Sequence, residues 1–86
     1  MRKYMREVGS TFVNGGEYAQ AATCSVWGDV FYSYDTPIAV RKDGMFYLTE
    51  EKISPTTSGQ QNALKALIPS GRLVVISTED IAVMAK

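Results

Sequence analysis

The chain has no histidine and a single cysteine, Cys24, among its 86 residues. Without an imidazole there is no Ser-His-Asp or Cys-His nucleophilic machinery. With only one thiol as well, the ordinary ligand sets of a structural zinc site are missing, so neither a metal nor a cofactor is expected. One cysteine cannot close an internal disulfide, the usual reinforcement of a small secreted domain, so a reducing, cytoplasmic setting is expected. Excess charge of either sign is also absent, with nine Lys and Arg against nine Asp and Glu. A dedicated DNA-coating protein needs a strong basic surplus to displace counterions, and this chain does not supply one. Long apolar runs are lacking too. Leu73–Ile76 and the Lys65-interrupted stretch Ala63–Ile68 fall far short of the ~20 residues that span a bilayer, so no membrane partner is expected. No apolar segment follows Met1-Arg2-Lys3, so no signal peptide is expected.

What is present points to one small globular domain over residues 1–86. Hydrophobic residues make up 45% of the chain, too many for a disordered segment. Met1, Tyr4, Met5 and Val8 fall at helical spacing, so residues 1–9 read as a short amphipathic helix stopped by Gly9, or as an extended arm. Asn14-Gly15-Gly16 reads as the turn of a hairpin between Thr11-Phe12-Val13 and Tyr18-Ala19. Two strands broken at Gly28-Asp29 occupy residues 21–34. Pro37 fits a strand entrance or edge, and Lys42-Asp43-Gly44 turns the chain into a return strand, Met45–Thr49. Ser58 and Gln61 have capping-box spacing at the start of the clearest helix, whose apolar stripe is Leu64, Leu67 and Ile68. Leu73-Val74-Val75-Ile76 reads as a central strand covered on both faces. Ser77 or Thr78 then caps a short C-terminal helix that turns Ile81, Met84 and Ala85 inward. The expected fold is α+β: a mainly antiparallel sheet of four to six strands, one principal helix across one face, and a short C-terminal helix.

Three groups of residues are candidates for function. Trp27, Tyr32, Tyr34, Phe46 and Tyr47 form a dense aromatic set. Tyr32 and Tyr34, two apart on a strand, share a face and, with Arg41 and Lys42 from the next strand, make a candidate partner-binding surface. Phe31 and Phe46 belong in the core. Thr56, Thr57, Ser58 and Gly59 at a helix start are a candidate anion site, set against the plainer assignment of helix capping. Arg2, Lys3 and Arg6 form a small basic patch, read first as a solvated face. Asp29, Asp35 and Asp43 read as turn chemistry, and Cys24 as a buried, inert thiol.

The block Tyr32-Ser33-Tyr34-x-Thr36-Pro37-Ile38-Ala39, then a hairpin with Gly44, then Ser54-x-Thr56-Thr57-Ser58, resembles a family of small tailed-phage and prophage proteins of uncharacterised function. The resemblance covers roughly residues 29–68. Members often carry histidine where this chain has Gln60, so a proton-transfer role there is lost and a hydrogen-bonding role survives. The resemblance implies a virus-encoded protein acting inside a bacterial cell, and it implies no chemistry. The leading expectation is therefore a non-catalytic accessory protein that binds a host protein and inhibits a bacterial defence system such as a CRISPR effector. The alternative is a binder of nucleic acid or of a small phosphorylated ligand, using Thr56–Gly59 with Gln60. Nucleic acid is the less favoured partner, and a homodimer stays open. An enzyme is not expected, because no acid–base pair, metal set or activated nucleophile can be named.

Overall fold

The computed structural model describes residues 5–53 and 55–85. Met1, Tyr4, Ser54 and Lys86, and the side chains of Arg2, Lys3 and Arg6 with their expected basic patch, lie outside that description. The order of elements is α1 (Met5–Val13), β1 (Tyr18–Gln20), β2 (Cys24–Trp27), β3 (Val30–Ser33), β4 (Thr36–Lys42), β5 (Met45–Thr49), α2 (Pro55–Leu67), a 3-10 turn (Ser70–Arg72), β6 (Leu73–Ile76) and α3 (Thr78–Met84). The strands form one sheet in sequence order, β1 to β6. β1 to β5 are an antiparallel meander, and β6 pairs parallel to β5 through the α2 crossover. The α+β class and the mainly antiparallel sheet are as the sequence predicts.

The N-terminal region differs from expectation. α1 runs through Gly9, and Thr11-Phe12-Val13 continues the helix instead of starting a hairpin. Val8 and Phe12, four residues apart, are both fully buried on its inner face, and this burial overrides the strand propensity of the threonine, phenylalanine and valine. Asn14-Gly15-Gly16 then closes the helix. Gly15 adopts φ +89°, its N–H donates to Phe12 O (3.3 Å), and Gly16 N–H donates to Thr11 O (2.8 Å), the paired bonds of a Schellman ending. An Asn-Gly pair serves a helix end as well as a hairpin, because both need a residue that tolerates positive φ.

One face of the sheet is covered by α1 and α2. Val8, Phe12, Leu64 and Ile68 meet Ala19, Cys24, Val26, Phe31, Ala39, Phe46 and Leu48 there. Phe12 makes edge-to-face contacts with Phe31 and Phe46, each at 5.7 Å between ring centroids. The β3–β4 register shifts between Phe31 and Tyr32, which pair with Ala39 and Pro37. The extra residue, Ile38, therefore joins Ala39 in the same core, and Pro37 sits one residue inside the strand entrance beside this bulge.

Three details of the C-terminal half also depart from expectation. α2 starts at Pro55, so Ser58 lies inside the helix and does not cap it. Gln61 instead donates from Nε2 to Thr49 O (2.9 Å) and Glu51 O (3.1 Å), taking up carbonyls where β5 ends. Leu67 is only partly buried, while Leu64 and Ile68 carry the apolar stripe. β6 is an edge strand, with Val75 49% exposed, because α2 crosses the sheet without covering that margin.

α3 packs on the second face. Ile81 is fully buried beside Val30 and Val40, with Tyr32, Tyr47, Ile76, Met84 and Ala85 around them. Its start is secured as expected from Ser77, whose Oγ accepts from Asp80 N–H (3.1 Å). The carboxylate of Glu51 adds to this by accepting from Thr78 N–H (2.9 Å). Phe12→Ala should lower the unfolding free energy by about 3–5 kcal/mol, and Leu67→Ala by about 1 kcal/mol or less, in urea denaturation followed by circular dichroism. Equal losses would mean that the core is not centred on the three phenylalanines.

Candidate functional site

Strand alternation sorts the aromatic residues. On β2, Cys24 and Val26 point into the α1/α2 core, and Ser25 and Trp27 point to the second face. The cross-strand register pairs Ser25 with Tyr32 and Trp27 with Tyr18, which places all four on that second face. α3 covers this face over β3 to β5 and stops short of β1 and β2. Tyr18, Trp27 and Tyr34 are therefore each more than half exposed. Tyr18 meets Trp27 edge to face at 4.8 Å, and its hydroxyl donates to Gln20 Oε1 (2.8 Å). Tyr32, half-buried, stands at the seam between the α3 cluster and this open area.

Tyr34 occupies the two-residue turn between β3 and β4 with φ +54°, a left-handed conformation that costs a non-glycine residue roughly 1 kcal/mol. Two struts hold the turn. Tyr34 N–H donates to Thr23 O (2.9 Å), and Gln60 Nε2 donates to the same carbonyl (3.1 Å) and lies 3.2 Å from Thr23 Oγ1. One residue earlier, Ser33 and Thr57 share a buried hydroxyl hydrogen bond of 2.8 Å. The turn thus rests on the first half of α2. Ser25, Trp27, Tyr32, Tyr34 and Asp35 line an open depression of about 230 Å³ beside it. A second, of about 320 Å³, shares Ser25, Trp27, Tyr34 and Asp35 and continues over the 21–23 loop. Among the described residues, no lysine or arginine lines either one.

The other expected groupings come apart. Arg41 does not join Tyr32 and Tyr34, because it lies on the α1/α2 side of the sheet, in register with Phe46. Its guanidinium donates to Phe12 O, Gly28 O (2.8 Å) and Asp29 Oδ1 (3.1 Å), and it stands 5.3 Å from the Phe12 ring centroid. This arginine ties the end of α1 to the β2–β3 turn. Lys42 is exposed at the β4–β5 turn, where Asp43 (φ +54°) and Gly44 (φ +79°) make the expected two-residue hairpin. The hydroxyls of Thr56, Thr57 and Ser58 do not converge on one point. Thr57 turns inward to Ser33 and Gln60 inward to Thr23, both nearly fully buried, while Thr56 and Gly59 are exposed and Ser58 faces a shallow depression beside Glu50, Lys52 and Lys65. Tyr18 and Asp35, which sequence reasoning assigned to a hairpin strand and to turn chemistry, belong to the aromatic area. The Tyr18–Trp27 pairing depends on the β1–β2 register, which no local pattern announces.

Cys24 is buried, and desolvation pushes its thiol pKa up, against a smaller lowering by a hydrogen bond with Thr23. It stays a protonated, unreactive thiol. Among the described residues, no group of three or more acidic or cysteine side chains is placed to hold a metal ion, and no helix is long and apolar enough to cross a membrane. Replacing Tyr34 with glycine should leave the melting temperature unchanged or raise it, by up to about 1 kcal/mol of stability, since glycine relieves the positive φ. A clear loss of stability in a thermal melt would show that the ring holds the turn in place.

Searches of curated proteins and of solved structures give no significant match. The model of a family of unknown function, DUF8033, matches residues 2–66, a span that runs from α1 through nearly all of α2 and includes the whole aromatic area. By that match the chain belongs to the DUF8033 family.

Proposed function

We propose that this protein is a non-catalytic binding module that docks the open aromatic half of its sheet on another protein. The observation that carries this reading is the cluster of Tyr18, Trp27 and Tyr34, three large rings left in solvent at the β1–β3 end of the sheet, where Tyr18 meets Trp27 edge to face and Trp27 and Tyr34 line one depression. Rings held on strands lose little side-chain entropy on binding and offer both apolar area and a polar tip, which makes tyrosine and tryptophan common interface anchors.

Protein is favoured over nucleic acid by charge. Exposed rings also stack on bases, but single-strand binders pair their rings with a basic groove that follows the phosphates. Here the depressions beside the rings contain Asp35 and, among the described residues, no cation. A small phosphorylated ligand at the start of α2 is disfavoured by the inward turn of Thr57 and Gln60. The resemblance of residues 29–68 to tailed-phage and prophage proteins supports a protein of the bacterial host as the partner, with inhibition of a defence complex such as a CRISPR effector as the outcome.

The test is the double substitution Tyr32→Ser with Tyr34→Ser. Circular dichroism should show a retained fold. Capture of a stoichiometric host protein from nuclease-treated lysate, seen with the wild type, should be lost. Unchanged capture by the folded variant would move the binding surface elsewhere, and recovery of nucleic acid in place of protein would overturn the reading.

A further inference from the structure

We infer that the depression between Trp27 and Tyr34 receives an arginine side chain of the protein partner. This assignment rests on the docking reading above and specifies what that surface recognises. The lining is three aromatic residues, Trp27, Tyr32 and Tyr34, with the Ser25 hydroxyl and the Asp35 carboxylate. Aromatic faces attract cations through the ring quadrupole, tryptophan most strongly, and a planar guanidinium also stacks on them. A carboxylate at the edge of such a set offers the guanidinium a charge-assisted, two-point hydrogen bond.

Asp35 has no salt-bridge partner among the described residues, where the ion pairs are Arg41–Asp29 and Lys65–Glu50. It is exposed at the turn tip, directly after Tyr34. The chain's described cations are placed elsewhere: Arg41 against Phe12 on the opposite face, Arg72 against Phe46 and Gly44, Lys65 on Glu50, Lys42 at the β4–β5 turn, and Lys52 beyond β5. Among the described residues, none of the chain's own cations therefore complements Asp35. Tyr34 and Asp35 are the two turn residues of one hairpin, held by the Tyr34 N–H bond to Thr23 O, so the aromatic and acidic halves of the recognition share one tip.

Trp27 is the only tryptophan of the chain and reports directly on the depression. The experiment titrates the whole protein with an acetylated, amidated Gly-Arg-Gly tripeptide and with its citrulline counterpart, which has nearly the same shape and no charge. Trp27 fluorescence and the Trp27 indole N–H resonance are followed. The arginine peptide should give a saturable change at the Trp27 indole and bind roughly tenfold more tightly than the citrulline peptide. Asp35→Asn, an exposed turn substitution that leaves the core untouched, should narrow that preference severalfold, and Tyr34→Ala should abolish the response. Equal responses to the two peptides, no response to either, or a preference unaffected by Asp35→Asn would each overturn the assignment. Failure here combined with loss of capture by the Tyr32/Tyr34 double variant would leave the docking surface standing without arginine as its occupant. Retained capture by that variant would remove the docking surface itself.

Discussion

A six-stranded sheet has two faces to cover, and this chain covers them with three helices of unequal length. α1 and α2 close one face from β1 to β5. The other is left to α3, seven residues long, whose cluster takes in residues of β3 to β6 and none of β1 or β2. That shortfall places everything else of interest. Val30, Val40 and Tyr47 find cover beneath Ile81, whereas Tyr18, Trp27 and Tyr34 do not. In a domain this small, large rings left in water are a cost to solubility that a purely structural role does not explain.

The covered face is held as much by polar contacts as by oil. α2 buries Thr57, Gln60 and Gln61 alongside Leu64, and each polar side chain reaches a specific place in the sheet: Ser33, the Thr23 carbonyl, and the carbonyls at the end of β5. Buried polar groups of this kind fix position more than they add stability, because a shifted helix would leave donors unmatched. The Gln60 amide shows the limit of the arrangement, since its Oε1 is buried with no hydrogen-bond partner among the described residues. Arg41 does the same work for α1, binding the carbonyl at its C-terminal end and the turn below it. The two motif blocks that looked unrelated along the chain, Ser33–Ala39 and Thr56–Ser58, meet through Ser33 and Thr57.

Much of this architecture is legible along the chain where the determinants are local. The β2–β5 strands, the Asp43-Gly44 turn, the body of α2 and the Ser77 cap all follow from turn residues and periodicity within a few positions. Failures came where a distant contact decides. Thr11-Phe12-Val13 looks like a strand until Phe12 is seen between Phe31 and Phe46. Leu73–Ile76 is as apolar as a central strand, yet the topology leaves it at the margin. Of the candidate surface, Tyr32 and Tyr34 do line one depression, but not as alternate residues of one strand: β3 ends at Ser33, and Tyr34 lies in the turn beyond it at φ +54°. Arg41 was misplaced because alternation on one strand cannot say which face the helices will choose, and Tyr18 was missed because its neighbour Trp27 lies across a register.

The parallel pairing of β6 sets an order of assembly. β1 to β5 join through short hairpins and can zip locally, whereas β6 must wait until the whole of α2 has crossed the sheet, and α3 follows β6. The β5–β6 pairing thus closes a longer loop than any of the hairpins that precede it. Val30, Val40 and Tyr47 owe their cover to the one buried residue of α3, Ile81, and Tyr32 stands between them and the open rings. The boundary between core and surface on this face is therefore set by the reach of a single seven-residue helix, and lengthening or shortening α3 by a turn would redraw it.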